Sequence, residues 1–184
     1  MTATWRVAKR PATVASLTKD LSALGIVRGS TVMVHASLRA LGCVIGGEQA
    51  VLEALRAAVG APGPIVMPSQ SWQLCDPAFL SKPDVPREWW PTIRSNLPAY
   101  DPARTPTRTM GAVAELFRTQ PGTLRSSHPH RSIAANGPNA HRITARHDLD
   151  CPAGERSPLA VLYNLDAWAL LLGVGADKIT TASA

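Results

Sequence analysis

The sequence predicts an α/β fold built on a parallel strand–helix–strand unit. Three observations carry this reading. Val32-Met33-Val34 and Ile65-Val66-Met67 are short continuous apolar runs of the kind that forms strands buried on both faces. Between them, Glu48 to Val59 places Val51, Leu52, Leu55 and Val59 on one helical face. Two strands joined through a helix of that length pair in parallel, with a right-handed crossover.

The elements follow in order. Ala12 to Leu24 sets Val14, Leu17, Leu21 and Leu24 at helical spacing, with Thr13 as N-cap and Gly25 as the stop. Gly29-Ser30 turns into a strand over Thr31 to Val34, and His35 follows it. Gly46-Gly47 opens the helix Glu48 to Val59, which Gly60, Pro62, Gly63 and Pro64 end. Pro68 stops the second strand. Ser69 to Thr109 holds three of the five tryptophans and seven prolines, and no period survives there. It predicts an irregular surface segment over a ligand cleft, with one short helix over Glu88 to Ser95. Gly111 to Arg118 predicts a helix ended by Pro121-Gly122. Arg125 to Arg131 reads as a polar loop, Ile133-Ala134-Ala135 as a short strand and Asn139 to Ala145 as a helix. Ser157 caps a further helix with Pro158 at its first position. Trp168 to Gly175 predicts a last buried strand running into a glycine turn.

Composition narrows the function. At 45% hydrophobic and 17% charged residues, the 184-residue chain is that of a globular domain with a real core. No apolar run reaches membrane-spanning length, and the N-terminus lacks the apolar core of a secretory signal, so a cytoplasmic location is expected. Three scattered cysteines form neither a disulfide framework nor a metal motif. A formal charge of +6 favours an anionic partner, but the arginines are spread out and aromatics are only 5%, which argues against nucleic acid.

His35 sits where a strand hands over to a loop, the usual place for chemistry in an open α/β sheet. It is either a base or substrate-orienting group, or a hydrogen-bonded histidine closing a strand. Arg125-Ser126-Ser127-His128-Pro129-His130-Arg131-Ser132 offers arginine forks and hydroxyls to a phosphate, or is a loop holding its own turn. The proline between the histidines and the absence of a third ligand at recognisable spacing argue against a metal. Ser37 and Ser69 lie in no Gly-x-Ser-x-Gly elbow, and no dinucleotide fingerprint or Walker lysine is present.

Taken together, Val34-His35-Ala36-Ser37-Leu38-Arg39 with Gly46-Gly47, Val66 to Trp72, Pro98 to Pro102, Thr105-Pro106-Thr107, Met110 to Glu115, Arg125 to Pro129, Ser157-Pro158-Leu159 and Leu170 to Gly175 resemble one family. It is the aminoglycoside 3-N-acetyltransferases of the antibiotic N-acetyltransferase family, and the resemblance runs from about Trp5 to Thr181. It implies transfer of acetyl from acetyl-coenzyme A to the 3-amino group of a deoxystreptamine antibiotic, with no metal. It implies a single domain over residues 1–184, an α/β sandwich on a mixed, largely parallel sheet flanked by helices, without the family's C-terminal part. By the family pattern, His35, Ala36, Ser37, Leu38 and Arg39, then Met67, Pro68 and Ser69, then Met110 and Gly111 bound the coenzyme A tunnel. Ser127 and His128 are expected beside its phosphates. Ser71, Trp72 and Asp76 should face the acceptor amine.

The chain departs from the pattern at its end. Where the family continues Asn-Thr-Ser-Leu-His-Leu-Ala-Glu, this sequence reads Ile179-Thr180-Thr181-Ala182-Ser183-Ala184 after Lys178. Ser183 stands in place of the histidine expected as general base, and a serine hydroxyl is no base at neutral pH. The resemblance therefore implies impaired turnover, with His35 as the catalytic group on an incomplete site. A coenzyme A-binding remnant without catalysis, or an acetyltransferase for another small amine, are the alternatives. The last strand, left without the family's covering segment, is expected to favour self-association.

Overall fold

The computed structural model describes residues 10–80 and 85–175. Five strands form one sheet in the order β3-β4-β2-β1-β5, where β1 is Val32–Ala36, β2 Ile65–Pro68, β3 Leu124–Arg125, β4 Ile133–Asn136 and β5 Trp168–Leu172. β1 lies between β2 and β5 and runs parallel to both, in the registers Val32↔Ile65 and Val32↔Trp168. β4 is antiparallel to β2 and to β3, so the sheet is mixed.

The helix between β1 and β2 is the one its periodicity predicts. It is α3, Gly47–Val59, and its Val51, Leu52, Leu55 and Val59 are all buried. With α1 (Val14–Ala23) and α5 (Ala112–Arg118) it covers one face of the sheet, enclosing Val32, Val34, Ile65, Met67, Ala134 and Phe117. Each of the Val, Ile, Met and Phe side chains taken out of water there contributes about 1.5–3 kcal/mol. The other face packs Met33, Val66, Ile133 and Ala135 against α6 (Ala140–Thr144) and α7 (Pro158–Asn164). Strand Val-Met-Val is continuously apolar because its alternate residues feed two different cores.

Caps explain the helix starts. Thr13 Oγ accepts from the Ser16 amide at 3.1 Å while Ser16 Oγ accepts from the Thr13 amide at 2.9 Å, a capping box worth about 1 kcal/mol. Ser157 Oγ accepts from the Leu159 amide at 3.2 Å, with Pro158 at the first helical position.

Several expectations need correction. β1 runs on through His35 to Ala36, so His35 is a strand residue paired with Leu171 rather than the first residue after the strand. Ser37 then caps a short helix, α2 (Leu38–Leu41), where a loop was expected. Within Ser69 to Thr109 three single 3-10 turns, at Trp72–Leu74, Pro77–Phe79 and Arg87–Trp89, accompany the helix α4 (Trp90–Asn96). Arg125 ends a two-residue strand instead of opening a loop. β5 is not buried: it pairs only with β1 among the described residues, and Trp168 and Ala169 are exposed while Leu170 alone is fully covered.

Candidate active site

The carboxyl ends of the three parallel strands meet at a cavity of about 730 Å³. β1 delivers His35 and Ala36, the turn into α2 delivers Ser37, Leu38 and Arg39, and β2 delivers Pro68. Thr109, Met110, Gly111 and Ala112 form the wall opposite, at the start of α5, and Val174 closes the side after β5. α2 is held in place by its cap, the Ala40 amide donating to Ser37 Oγ at 3.3 Å, and by the Ser37 amide donating to the Leu172 carbonyl at 2.9 Å. Gly173 lies under this turn with φ +67°. A Cβ there would stand 3.0 Å from the Ser37 carbonyl and 3.1 Å from the Ala40 Cβ, so the approach needs glycine.

His35 is the group with chemical capacity at this cavity. Its side chain is buried and its Nε2 has no hydrogen-bond partner. Burial pushes its imidazole below the usual histidine range, so the ring is neutral at neutral pH. A neutral imidazole lining a cavity can take a proton or hold a polar ligand atom.

The remaining expected site residues lie elsewhere. Met67 packs into the helical core on the α3 side of the sheet. Ser69 and Ser71 are fully buried, where the chain leaving β2 extends the ladder: the Ser69 amide donates to the Ser132 carbonyl at 2.9 Å and the Ser71 amide to the His130 carbonyl at 3.2 Å. Trp72 is covered by Arg131, 4.9 Å from its ring, and donates from Nε1 to Gln70 Oε1 at 2.8 Å. Asp76 is engaged by Arg94 at 2.7 and 3.0 Å, a pairing that holds its carboxyl below the usual carboxylate range. Ser127 is exposed, and His128 is buried with the Arg131 amide donating to its Nδ1 at 3.1 Å. Ser183 lies outside the described residues.

The polar loop from Arg125 to Ser132 is built inward. All of Arg125's nitrogens point at protein acceptors: Nε donates to Ser132 Oγ at 3.0 Å, Nη1 to the carbonyls of Thr105 and Pro102, and Nη2 to Ser71 Oγ at 2.7 Å and the Ser69 carbonyl. The guanidinium therefore has no free fork for a phosphate. His128 packs 4.9 Å from His130 and 4.7 Å from His147, centroid to centroid. His147 Nε2 faces the Pro152 carbonyl at 3.0 Å, which requires a proton there, so its Nδ1 accepts from Ser126 Oγ at 2.8 Å. Burial and the neighbouring charges lower His130 and His147 to about 4, so the cluster is neutral at neutral pH. Among the described residues no group of three or more His, Cys, Asp or Glu is arranged to hold a metal ion, and no helix is long and apolar enough to cross a membrane.

Of the residues lining this cavity, the sequence and its family resemblance indicated His35 to Arg39, Pro68, Met110 and Gly111, but not Gly42, Thr109, Ala112 or Val174. Thr109 carries no motif signal. Its φ of +68°, unusual for a β-branched residue, becomes visible only once the chain is folded.

Comparison with known proteins gives this geometry a context. A family model described as aminoglycoside 3-N-acetyltransferase matches residues 33–182. A Bacillus subtilis (strain 168) protein, "SPbeta prophage-derived aminoglycoside N(3')-acetyltransferase-like protein YokD", is 47% identical over 171 residues, covering 92% of this chain and 63% of that one. Its crystal structure superposes with a TM-score of 0.91 at 44% identity, covering 98% of this chain and 67% of the other. A structure described as AAC-IIIb binary with CoASH matches at TM-score 0.80 and 37% identity, over 94% of this chain and 63% of that chain. One of AAC-VIa bound to sisomicin matches at TM-score 0.80 and 35% identity, with the same coverage. The chain spans about three-fifths of the length of the curated relatives it matches.

Proposed function

The chain belongs to the aminoglycoside 3-N-acetyltransferase family, and on that premise we propose that it binds acetyl-coenzyme A at the His35 cavity and serves acetyl transfer to the 3-amino group of an aminoglycoside. Acetyl-coenzyme A supplies the acetyl group as an activated thioester. The observation that carries the reading is the buried, neutral His35 ring lining a cavity at the carboxyl ends of parallel strands. The coenzyme A-bound and sisomicin-bound relatives support the ligand classes.

The residues fit the task. Ala36, Leu38, Pro68, Met110 and Val174 give an apolar channel suited to a pantetheine arm, and Arg39, exposed at its rim, offers a cation to phosphate. An ammonium cannot attack a thioester until it loses a proton. The His35 ring, held neutral by burial and lining the cavity, is the group that can accept that proton. A positioned base is typically worth about 10²–10⁴-fold in rate.

The test uses the purified chain. Isothermal titration with coenzyme A is expected to show binding, and free thiol is expected to appear only slowly when acetyl-coenzyme A and sisomicin are added together, in keeping with the impaired turnover that the resemblance implies. H35A should lower turnover about 100-fold while coenzyme A affinity holds within about threefold. Absence of binding by the wild-type chain at millimolar coenzyme A would sink the reading. Unchanged turnover in H35A would remove His35 as the base.

A further inference from the structure

Residues 98–111 connect α4 to α5 without a helix or strand of their own, yet their far end is the cavity wall. Side chains hold this segment in place. Arg125 ties it to the exit of β2: its guanidinium bonds the Pro102 and Thr105 carbonyls on one side and the Ser69 carbonyl and Ser71 Oγ on the other, with Ser132 Oγ as the fifth acceptor. It also lies over the Tyr100 ring, 5.1 Å from the centroid. Ser71 Oγ in turn donates to the Pro106 carbonyl at 2.9 Å, and the Arg108 amide donates to the Gln70 carbonyl at 2.8 Å. The next three residues, Thr109, Met110 and Gly111, are the wall, and their backbone is unusual, with φ +68° at Thr109 and +85° at Gly111.

We propose that Arg125 is a positioning residue, fixing the Thr109–Gly111 wall of the cavity by bonding the 102–105 segment to the end of β2. The proposal rests on the cavity being the coenzyme A site. Five N–H donors meet five acceptors drawn from three separate stretches of chain, and no carboxylate pairs with Arg125 among the described residues. The bonds run to backbone carbonyls and hydroxyls, so they fix position rather than neutralise a partner's charge. Lysine keeps the charge but has three donors on one nitrogen, and it cannot span all three stretches. An alternative purely stabilising role would lower the melting temperature without acting on the cavity in the folded protein.

The experiment compares wild type, R125K and, on the same strap, S71A. S71A removes one acceptor of Arg125 together with the tie to Pro106. Amide hydrogen exchange over residues 101–111 and over α3 is measured alongside coenzyme A titration, both well below the melting temperature of each variant. The expected result is faster exchange confined to 101–111 and a coenzyme A affinity about tenfold weaker, the value of one lost charge-assisted bond. If R125K fails to fold, S71A is read by the same two measurements. Unchanged exchange over 101–111 in the folded variant overturns the proposal, and so does loosened exchange with full coenzyme A affinity. A wild type that takes no coenzyme A would instead sink the reading of the cavity, and the exchange measurement would still decide whether Arg125 sets its wall.

Discussion

Substitution of Gly173 by alanine tests how the cavity wall is braced. Gly173 has φ +67°, and an alanine held there costs about 1–2 kcal/mol in backbone strain. Its Cβ would also meet the Ser37 carbonyl at 3.0 Å, the Ala40 Cβ at 3.1 Å and the Leu41 amide at 3.2 Å. Two of those atoms are backbone of the α2 turn, so relief requires moving the turn, at about 1–3 kcal/mol. The sum is about 2–5 kcal/mol, which for a chain of this size lowers the melting temperature by roughly 5–15 °C. Gly29 supplies the control. Its φ is +90°, and a Cβ there would meet nothing within 4 Å, so G29A carries the backbone cost alone. Thermal unfolding of G173A, G29A and wild type, read by circular dichroism, separates the two contributions. Ser37, Leu38 and Arg39 line the cavity, so G173A should also weaken coenzyme A binding while G29A should not. If G173A melts no lower than G29A and binds coenzyme A as wild type does, Gly173 does not brace α2 and the wall is set by something else.

Two pH-dependent outcomes follow from buried and paired groups. His130 and His147 titrate near 4 in the folded chain against 6.5 when free, so the unfolded chain takes up their protons first. Stability should be full above pH 6.5 and fall as pH drops toward 4, by up to about 3 kcal/mol for the buried His147. Urea midpoints at pH 7, 5.5 and 4.5 measure this, and a flat series would contradict the neutral imidazole cluster. Burial pushes the Glu115 carboxyl up, but donors from Arg118 and from the Thr107 amide and hydroxyl outweigh it and bring it to about 2. Its contribution is present above pH 4.5 and lost as pH falls from there toward 2. With the Glu115 side chain 38% exposed, E115Q should cost only about 1 kcal/mol at pH 7 and much less near pH 2.5. An equal cost at both pH values would show that charge is not what Glu115 contributes.

What the sequence determined by itself is local or periodic. The β1–α3–β2 unit follows from apolar runs and helical spacing, which a single segment expresses without reference to any other. The Thr13 and Ser157 caps were legible for the same reason: donor and acceptor lie two or three residues apart. The β1 end of the cavity was legible because a histidine closing an apolar strand is a local pattern. Tertiary structure alone decided the rest, through partners distant along the chain. Arg125 reads as a phosphate ligand until its acceptors are found 20, 54 and 56 residues away, at Thr105, Ser71 and Ser69. Trp168 to Leu172 has the composition of a buried strand, but burial depends on neighbours, and β5 has β1 on one side only among the described residues. Thr109 faces the cavity because side chains from β3, α5 and the exit of β2 bond residues 102–107, and no periodicity in that proline-rich stretch encodes where it must lie.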